Sequence, residues 1–212
     1  VFSNILIIVA VIFATELRNI LESIGKGAAR KSFKTIIHPD VAAGIAEIEN
    51  GIEAVIKACS NMSDNKTGAL IVFEKGTLLG NVINSGTVVN AKATRALIES
   101  IFFPKTPLHD GAMIIRGGKV YAAGCILPLT KKYVQASFGT RHRAAIGLSE
   151  ESDALIVVVS EETGAISLAK GGFIQSDISD GDLRDILMNE FIPNDNSSDD
   201  KIITRLVRRM KK

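Results

Sequence analysis

Three short segments carry polar residues where the surrounding pattern is apolar, and each offers a different chemistry. In Pro107-Leu108-His109-Asp110-Gly111-Ala112 an acid stands directly before strand-forming residues. Such a carboxylate can bind a metal or polarise a hydroxyl, and Gly111 lets backbone approach a phosphate or sugar closely. Taken alone, the segment reads better as an ordinary Asp-Gly turn. In Gly139-Thr140-Arg141-His142-Arg143-Ala144-Ala145, Thr140 is a good helix N-cap, and two arginines and a histidine crowd the same turn. Free amides, helix dipole and cations together suit an anion such as a triphosphate. A solvated basic turn is the alternative, but two arginines at a helix start oppose the macrodipole, and that cost favours an anionic ligand. In Ser160-Glu161-Glu162-Thr163-Gly164, two acids at a strand end can hold a metal. Alone they read as an exposed hairpin turn.

Several chemistries lack their signatures. There is no Gly-x-x-x-x-Gly-Lys-Ser/Thr loop, which argues against a Walker-type NTPase. There is no Gly-x-Ser-x-Gly elbow for a serine hydrolase, although Ser160, His142 and Asp110 are all present. There is no Gly-x-Gly-x-x-Gly of a dinucleotide fold.

The elements that must position these segments can be read from the apolar pattern. Val41, Ile45, Ile48, Ile52, Val55, Ile56 and Cys59 form a helical stripe after His38-Pro39-Asp40. Gly68 to Glu74 reads as a buried strand, followed by a second apolar stretch at Thr77 to Ile83. Asn90 is expected to cap a helix over Ala91 to Phe102. Ala112 to Arg116, the Gly117-Gly118 turn and Lys119 to Leu127 read as a hairpin. A short helix is expected over Arg141 to Leu148, a strand over Ala154 to Ser160 with its partner at Gly164 to Ala169, and a last helix around Leu183, Ile186, Leu187 and Phe191. The expected architecture is α/β: a central mixed sheet flanked by helices.

The 212 residues suit one domain with extensions, and 46% are hydrophobic, enough for a sizeable core. A net charge of +2 gives no sign of nucleic-acid binding. Cys59 and Cys125 lie far apart in sequence and in no metal-ligand spacing, which argues against a disulfide framework and fits a reducing compartment. Val1 to Thr15 is uncharged and almost wholly apolar, short of the ~20 residues of a full span. The chain begins at Val1 rather than methionine, which suggests a fragment cut inside a transmembrane helix. A signal-peptide core is the alternative, but no basic segment precedes the run. Arg18, Lys26, Arg30, Lys31 and Lys34 follow it, placing the rest on the cytoplasmic side of a membrane. Residues 1–33 are thus expected to be the end of a transmembrane helix and its linker, 34–193 the main folded domain, and 194–212 a polar then basic amphipathic tail that touches a membrane or partner, or simply frays.

Together the three segments resemble the diadenylate cyclase family. Asp110-Gly111-Ala112 and Arg141-His142-Arg143, with 31 positions from Asp110 to Arg141, match its two signature motifs in order and in context. The resemblance spans roughly Ile45 to Phe191, and the apolar N-terminus is similar to the membrane-anchored, CdaA-type branch. It implies an enzyme that condenses two ATP into cyclic di-AMP and pyrophosphate between two facing subunits of a homodimer. Carried over, it makes Asp110 a metal ligand and activator of the ribose 3′-hydroxyl. Gly111 and Ala112 approach the nucleotide, and Thr140, Arg141, His142 and Arg143 grip phosphates. Ser160 is a further phosphate contact, Glu162 assists the metal, and His109 is a further metal ligand. Leu127 lies at the adenine, with Ile126 where some relatives stack an aromatic residue. The implied cofactor is Mg²⁺ or Mn²⁺. A membrane regulator and the phosphoglucosamine mutase are implied partners. A membrane-tethered, non-catalytic sensor of ATP or cyclic di-AMP is the main alternative, and an interaction scaffold a third.

Overall fold

The computed structural model describes residues 39–135 and 138–192. The chain divides into two compact units at Gly44, and the fold below is that of the unit beginning there. The expected transmembrane segment and basic tail lie outside the described residues. Among the described residues no helix is long and apolar enough to cross a membrane.

Seven strands form one sheet among the described residues, in the order β2-β4-β3-β1-β5-β6-β7. They are β1 (Ala69–Phe73), β2 (Thr87–Lys92), β3 (Ala112–Arg116), β4 (Lys119–Cys125), β5 (Leu155–Val159), β6 (Ile166–Lys170) and β7 (Phe173–Gln175). β1 and β3 run parallel, and the other neighbours pair antiparallel. A parallel pair needs a long crossover. Here it is the stretch between Phe73 and Ala112, which holds α2 (Gly80–Ile83), β2 and α3 (Arg95–Ile101). α1 (Pro39–Asp64) precedes the sheet, α4 (Thr140–Glu151) links β4 to β5, and α5 (Asp180–Phe191) closes the unit.

The central strands are continuous apolar runs because both of their faces are covered. Ala69, Ile71 and Phe73 of β1, with Leu155, Val157 and Val159 of β5, pack on one face with Ile52, Val55 and Cys59 of α1 and Leu183 and Leu187 of α5. Leu70 and Val72, with Ile156 and Val158, face the other way, onto Ala144, Ala145 and Leu148 of α4. This two-residue alternation assigns each helix to a face. α1 also meets the β3–β4 turn backbone to backbone. A Cβ on Gly51 would lie 2.5 Å from the Gly118 carbonyl oxygen, and one on Gly118 would lie 2.2 Å from that of Glu47.

The mixed sheet and most elements follow the sequence pattern, with three differences. Thr77 to Ile83 is a turn and the short α2, because Asp153 Oδ2 and Oδ1 accept from the amides of Gly76 and Thr77 (3.0 and 2.8 Å). The helix expected from Ala91 begins at Arg95. Its cap is Thr94, whose Oγ1 accepts from Leu97 N (3.2 Å). Asn90 sits instead in β2 at φ 46°, where the pairing with β4 shifts register between Val88 and Ala91. Both cysteines are buried and free.

Candidate active site

Strand register gathers the three polar segments at one end of the sheet. Ile71 pairs with Met113 in the parallel β1–β3 ladder, Ala69 stands opposite Val159, and Ala112 opposite Cys125. The starts of β1 and β3 therefore share an edge with the ends of β4 and β5. Gly68 leads into β1, Asp110-Gly111 into β3, Ile126-Leu127 follow β4 and Ser160-Glu161-Glu162 follow β5. The first turn of α4 reaches the same edge, where Arg141 Nη1 donates to Glu161 Oε2 at 2.6 Å.

Asp110 is exposed, and its side chain makes no hydrogen bond or ion pair among the described residues. Gly111 has a structural reason of its own. Its φ of +128° disfavours other residues, and a Cβ would lie 2.7 Å from Gly124 C and 2.9 Å from the Cys125 carbonyl oxygen. Ala112 is fully buried in the core, so its side chain offers no surface to a ligand. His109 Nδ1 donates to the Thr106 carbonyl at 2.6 Å, which orients the ring and leaves Nε2 as the acceptor nitrogen.

The cap of α4 is Gly139, extended at φ −70° and ψ −176° with no side chain to cap, and Thr140 is the first helical residue. Thr140 is therefore not the N-cap. The first-turn amides gain no side-chain acceptor from the cap residue, as an anion-binding helix start requires. The side chains of Thr140 and Arg143 are exposed and unpaired among the described residues. His142 is different: it is 8% exposed, and its ring stacks on Phe138 at 5.0 Å with 8° between planes. Burial pushes its pKa below the ordinary 6.5, partly offset by the charge of Glu162. It is a neutral imidazole at ordinary pH, able to offer a hydrogen bond but no charge.

Ser160 Oγ accepts from the amides of Glu162 and Thr163 (3.3 and 3.2 Å), so it organises the turn while its proton remains available to a ligand. Leu127 is 7% exposed, and its neighbour Ile126 is 72% exposed beside it. Sequence reading missed Glu161 as the partner of Arg141, Gly68 beneath them, and Phe138 on His142. Phe138 lies before the Gly139 cap, outside α4, so helical spacing did not mark its contact with His142. The other two depend on strand placement. Among the described residues no group of three His, Cys, Asp or Glu side chains is gathered to hold a metal by itself.

An exposed acid, a basic helix start and an acidic strand end thus share one edge. The family model described as DisA bacterial checkpoint controller nucleotide-binding, the DAC domain, matches residues 56–174. The chain belongs to that family. Among its relatives, the cyclic di-AMP synthase CdaA of Bacillus subtilis is 39% identical over 187 residues, covering 88% of this chain and 66% of that protein. A diadenylate cyclase of Listeria monocytogenes is 40% identical over 185 residues, covering 87% and 65%. The chain thus spans just under two thirds of the length of these relatives. A solved double mutant of DacA from Staphylococcus aureus matches with a TM-score of 0.67 and 44% identity, over 68% of this chain and 97% of that one. A hypothetical membrane spanning protein from Bacillus cereus matches at 0.59 and 38% identity, over 78% and 90%.

Proposed function

We propose that the chain is a diadenylate cyclase, condensing two ATP into cyclic di-AMP with release of pyrophosphate where two subunits face each other. The observation that carries this is the carboxylate of Asp110 on the same sheet edge as the Thr140 and Arg143 side chains, all three unpaired among the described residues, and the partly held Arg141. An acid and cations left without partners form a site that expects a ligand, and family membership supplies the kind.

In this reading each ribose 3′-oxygen forms a bond to the α-phosphorus of the other ATP. The bond from that phosphorus to the bridging oxygen breaks, and pyrophosphate leaves. Asp110 takes the hydroxyl proton. Arg141, Arg143, Thr140 and the α4 amides hold the phosphates and stabilise the charge that develops, with His142 and Ser160 donating hydrogen bonds. Leu127 and Ile126 border the adenine. Asp110 together with substrate phosphates would hold Mg²⁺ or Mn²⁺, with Glu162 and His109 Nε2 as proposed further ligands that are not gathered with it into one cluster among the described residues. One or two carboxylates plus substrate phosphates are the usual setting for Mg²⁺, so the lack of a three-residue cage fits that ion. When bound, it would neutralise phosphate charge and lower the pKa of a coordinated hydroxyl.

A single chain presents one such edge, and two reacting nucleotides call for two, so the active species is a homodimer. The uncharged run from Val1 to Thr15 and the similarity to the Bacillus cereus membrane spanning protein support membrane attachment with the domain on the cytoplasmic side. A membrane regulator and the phosphoglucosamine mutase are proposed partners on the family resemblance.

The test is incubation of the chain with ATP and Mg²⁺ or Mn²⁺, with the product identified by chromatography and mass. Cyclic di-AMP from the parent and not from Asp110→Asn supports the reading. A folded, ATP-binding dimer that yields no product points to the sensor instead. Specific activity should also fall on dilution below the dimer dissociation constant, and an active strict monomer would contradict the facing-site reaction.

A further inference from the structure

Arg141 is not a free cation at a helix start. Its guanidinium lies against the backbone of Gly68. A Cβ on Gly68 would sit 2.7 Å from Arg141 Nη1, 3.0 Å from Arg141 Cζ and 2.9 Å from Glu161 Oε2. Gly68 does not have a positive φ, so an L-residue could adopt its backbone there. What a side chain lacks is room.

Glu161 closes the other side by accepting from Nη1 at 2.6 Å. The side chain of Arg141 is 22% exposed and that of Glu161 63%. Exposed pairs of this kind contribute little to stability, so the contact matters for where the guanidinium points. With Nη1 engaged, Nε and Nη2 remain as donors in a fixed plane. Arg143, two residues on, is exposed and has no such contacts among the described residues. The two arginines therefore differ: one has a partner there and one does not.

We propose that Gly68 and Glu161 are positioning residues that hold Arg141 in one orientation for the triphosphate. Gly68 is the floor that only a bare backbone can provide, and Glu161 is the clamp. The inference rests on the nucleotide-binding reading above and adds two residues to it. Neither touches substrate; both act through Arg141, and a fork held in advance loses less freedom on binding than one that must be ordered.

The experiment measures binding of 3′-deoxy-ATP, which has the triphosphate but no attacking hydroxyl, to the full chain by calorimetry. Gly68→Ala should weaken binding about 10-fold or more, and Glu161→Ala about 3- to 10-fold, with the far-ultraviolet spectrum and melting cooperativity retained. In an Arg141→Lys background, which keeps charge but lacks the fork, both changes should shrink to within about 2-fold. Unchanged or tighter binding in the single variants would overturn the proposal, as would undiminished effects in the lysine background. If Gly68→Ala does not fold, the exposed Glu161→Ala decides alone. A parent that binds 3′-deoxy-ATP yet makes no cyclic di-AMP would sink the cyclase reading and leave this inference standing. A parent that does not bind 3′-deoxy-ATP would sink both.

Discussion

Gly147 of α4 lies directly against the carbonyl of Pro128: a Cβ there would be 2.2 Å from that oxygen and 2.7 Å from the backbone nitrogen of Thr130. Beside this contact, Thr130 N donates to the Arg143 carbonyl at 3.1 Å, and Thr130 Oγ1 donates to Glu150 Oε1 at 2.9 Å. The stretch after β4, which carries Leu127, is thereby fastened to the helix that carries Arg141, His142 and Arg143. The residues proposed for the base side and for the phosphate side thus share one join.

Gly147→Ala should therefore cost about 1–3 kcal/mol of stability through overpacking and weaken ATP-analogue binding. Gly44→Ala is the contrast. Gly44 has open space around it within α1 and should gain up to about 1 kcal/mol from helix propensity. Urea unfolding of both variants checks this, and equal midpoints would refute the argument.

Asp110→Asn should lower turnover by about 100-fold or more, the usual scale for loss of a general base. The folded state should be unaffected, because the carboxylate has no protein partner among the described residues. A matching thermal melt with lost product formation is the expected pair of results. A large drop in melting temperature would mean the acid is structural.

At the opposite end of the sheet Glu74 is buried, and Arg116 holds it through Nε at 2.5 Å and Nη2 at 2.9 Å while lying over the Tyr121 ring at 4.0 Å. The hydrogen bonds that Arg116 donates to Glu74 raise the Arg116 pKa. Among the described residues, Arg116→Ala leaves that carboxylate with only the Leu79 amide as donor (2.9 Å) and should cost about 3 kcal/mol or more. The double change Arg116→Met with Glu74→Leu should recover much of it, which denaturant titration would read. Equal stability of the single variant and the parent would rule out this account.

His142 predicts a pH dependence with a definite sign. Its folded pKa lies below the ordinary 6.5 because burial disfavours the charged ring. Above pH ~6.5 both states are neutral and the group contributes nothing to the slope. As pH falls below that value the unfolded chain takes the proton more readily. Stability then drops until the folded ring also titrates. His142→Gln should flatten this part of the curve. Glu162→Gln should steepen it, since the Glu162 charge partly restores protonation. Urea midpoints between pH ~7.5 and ~5 would measure both slopes.

The central strands, the β3–β4 hairpin and α1 were legible because each is an apolar run or stripe whose period matches its element. β2 was not. It is an edge strand with Thr87, Val88, Asn90 and Lys92 exposed, so no alternation marks it, and Asn90 drew a helix start toward itself. β7, three residues long, was equally silent. In the proposed site, the Arg141-His142-Arg143 turn stood out by residue type, whereas Asp110 alone read as an ordinary Asp-Gly turn and was singled out only by the family resemblance. Gly68 and Glu161 did not stand out, because their meeting with Arg141 is made by β1, β5 and α4 coming together. His142 looked cationic in sequence, and burial against Phe138 makes it neutral.

The close approach of Gly118 to the Glu47 carbonyl has a practical side. Hairpin tips are the usual places to graft a tag, a loop or a new terminus, but Gly118 at this tip is pressed against the α1 backbone, although Gly117 beside it is open. The Gly171-Gly172 turn between β6 and β7 is the better point of attachment. A Cβ on Gly171 would meet nothing within 4 Å, and a reporter placed there would ride at the sheet's far edge without straining α1.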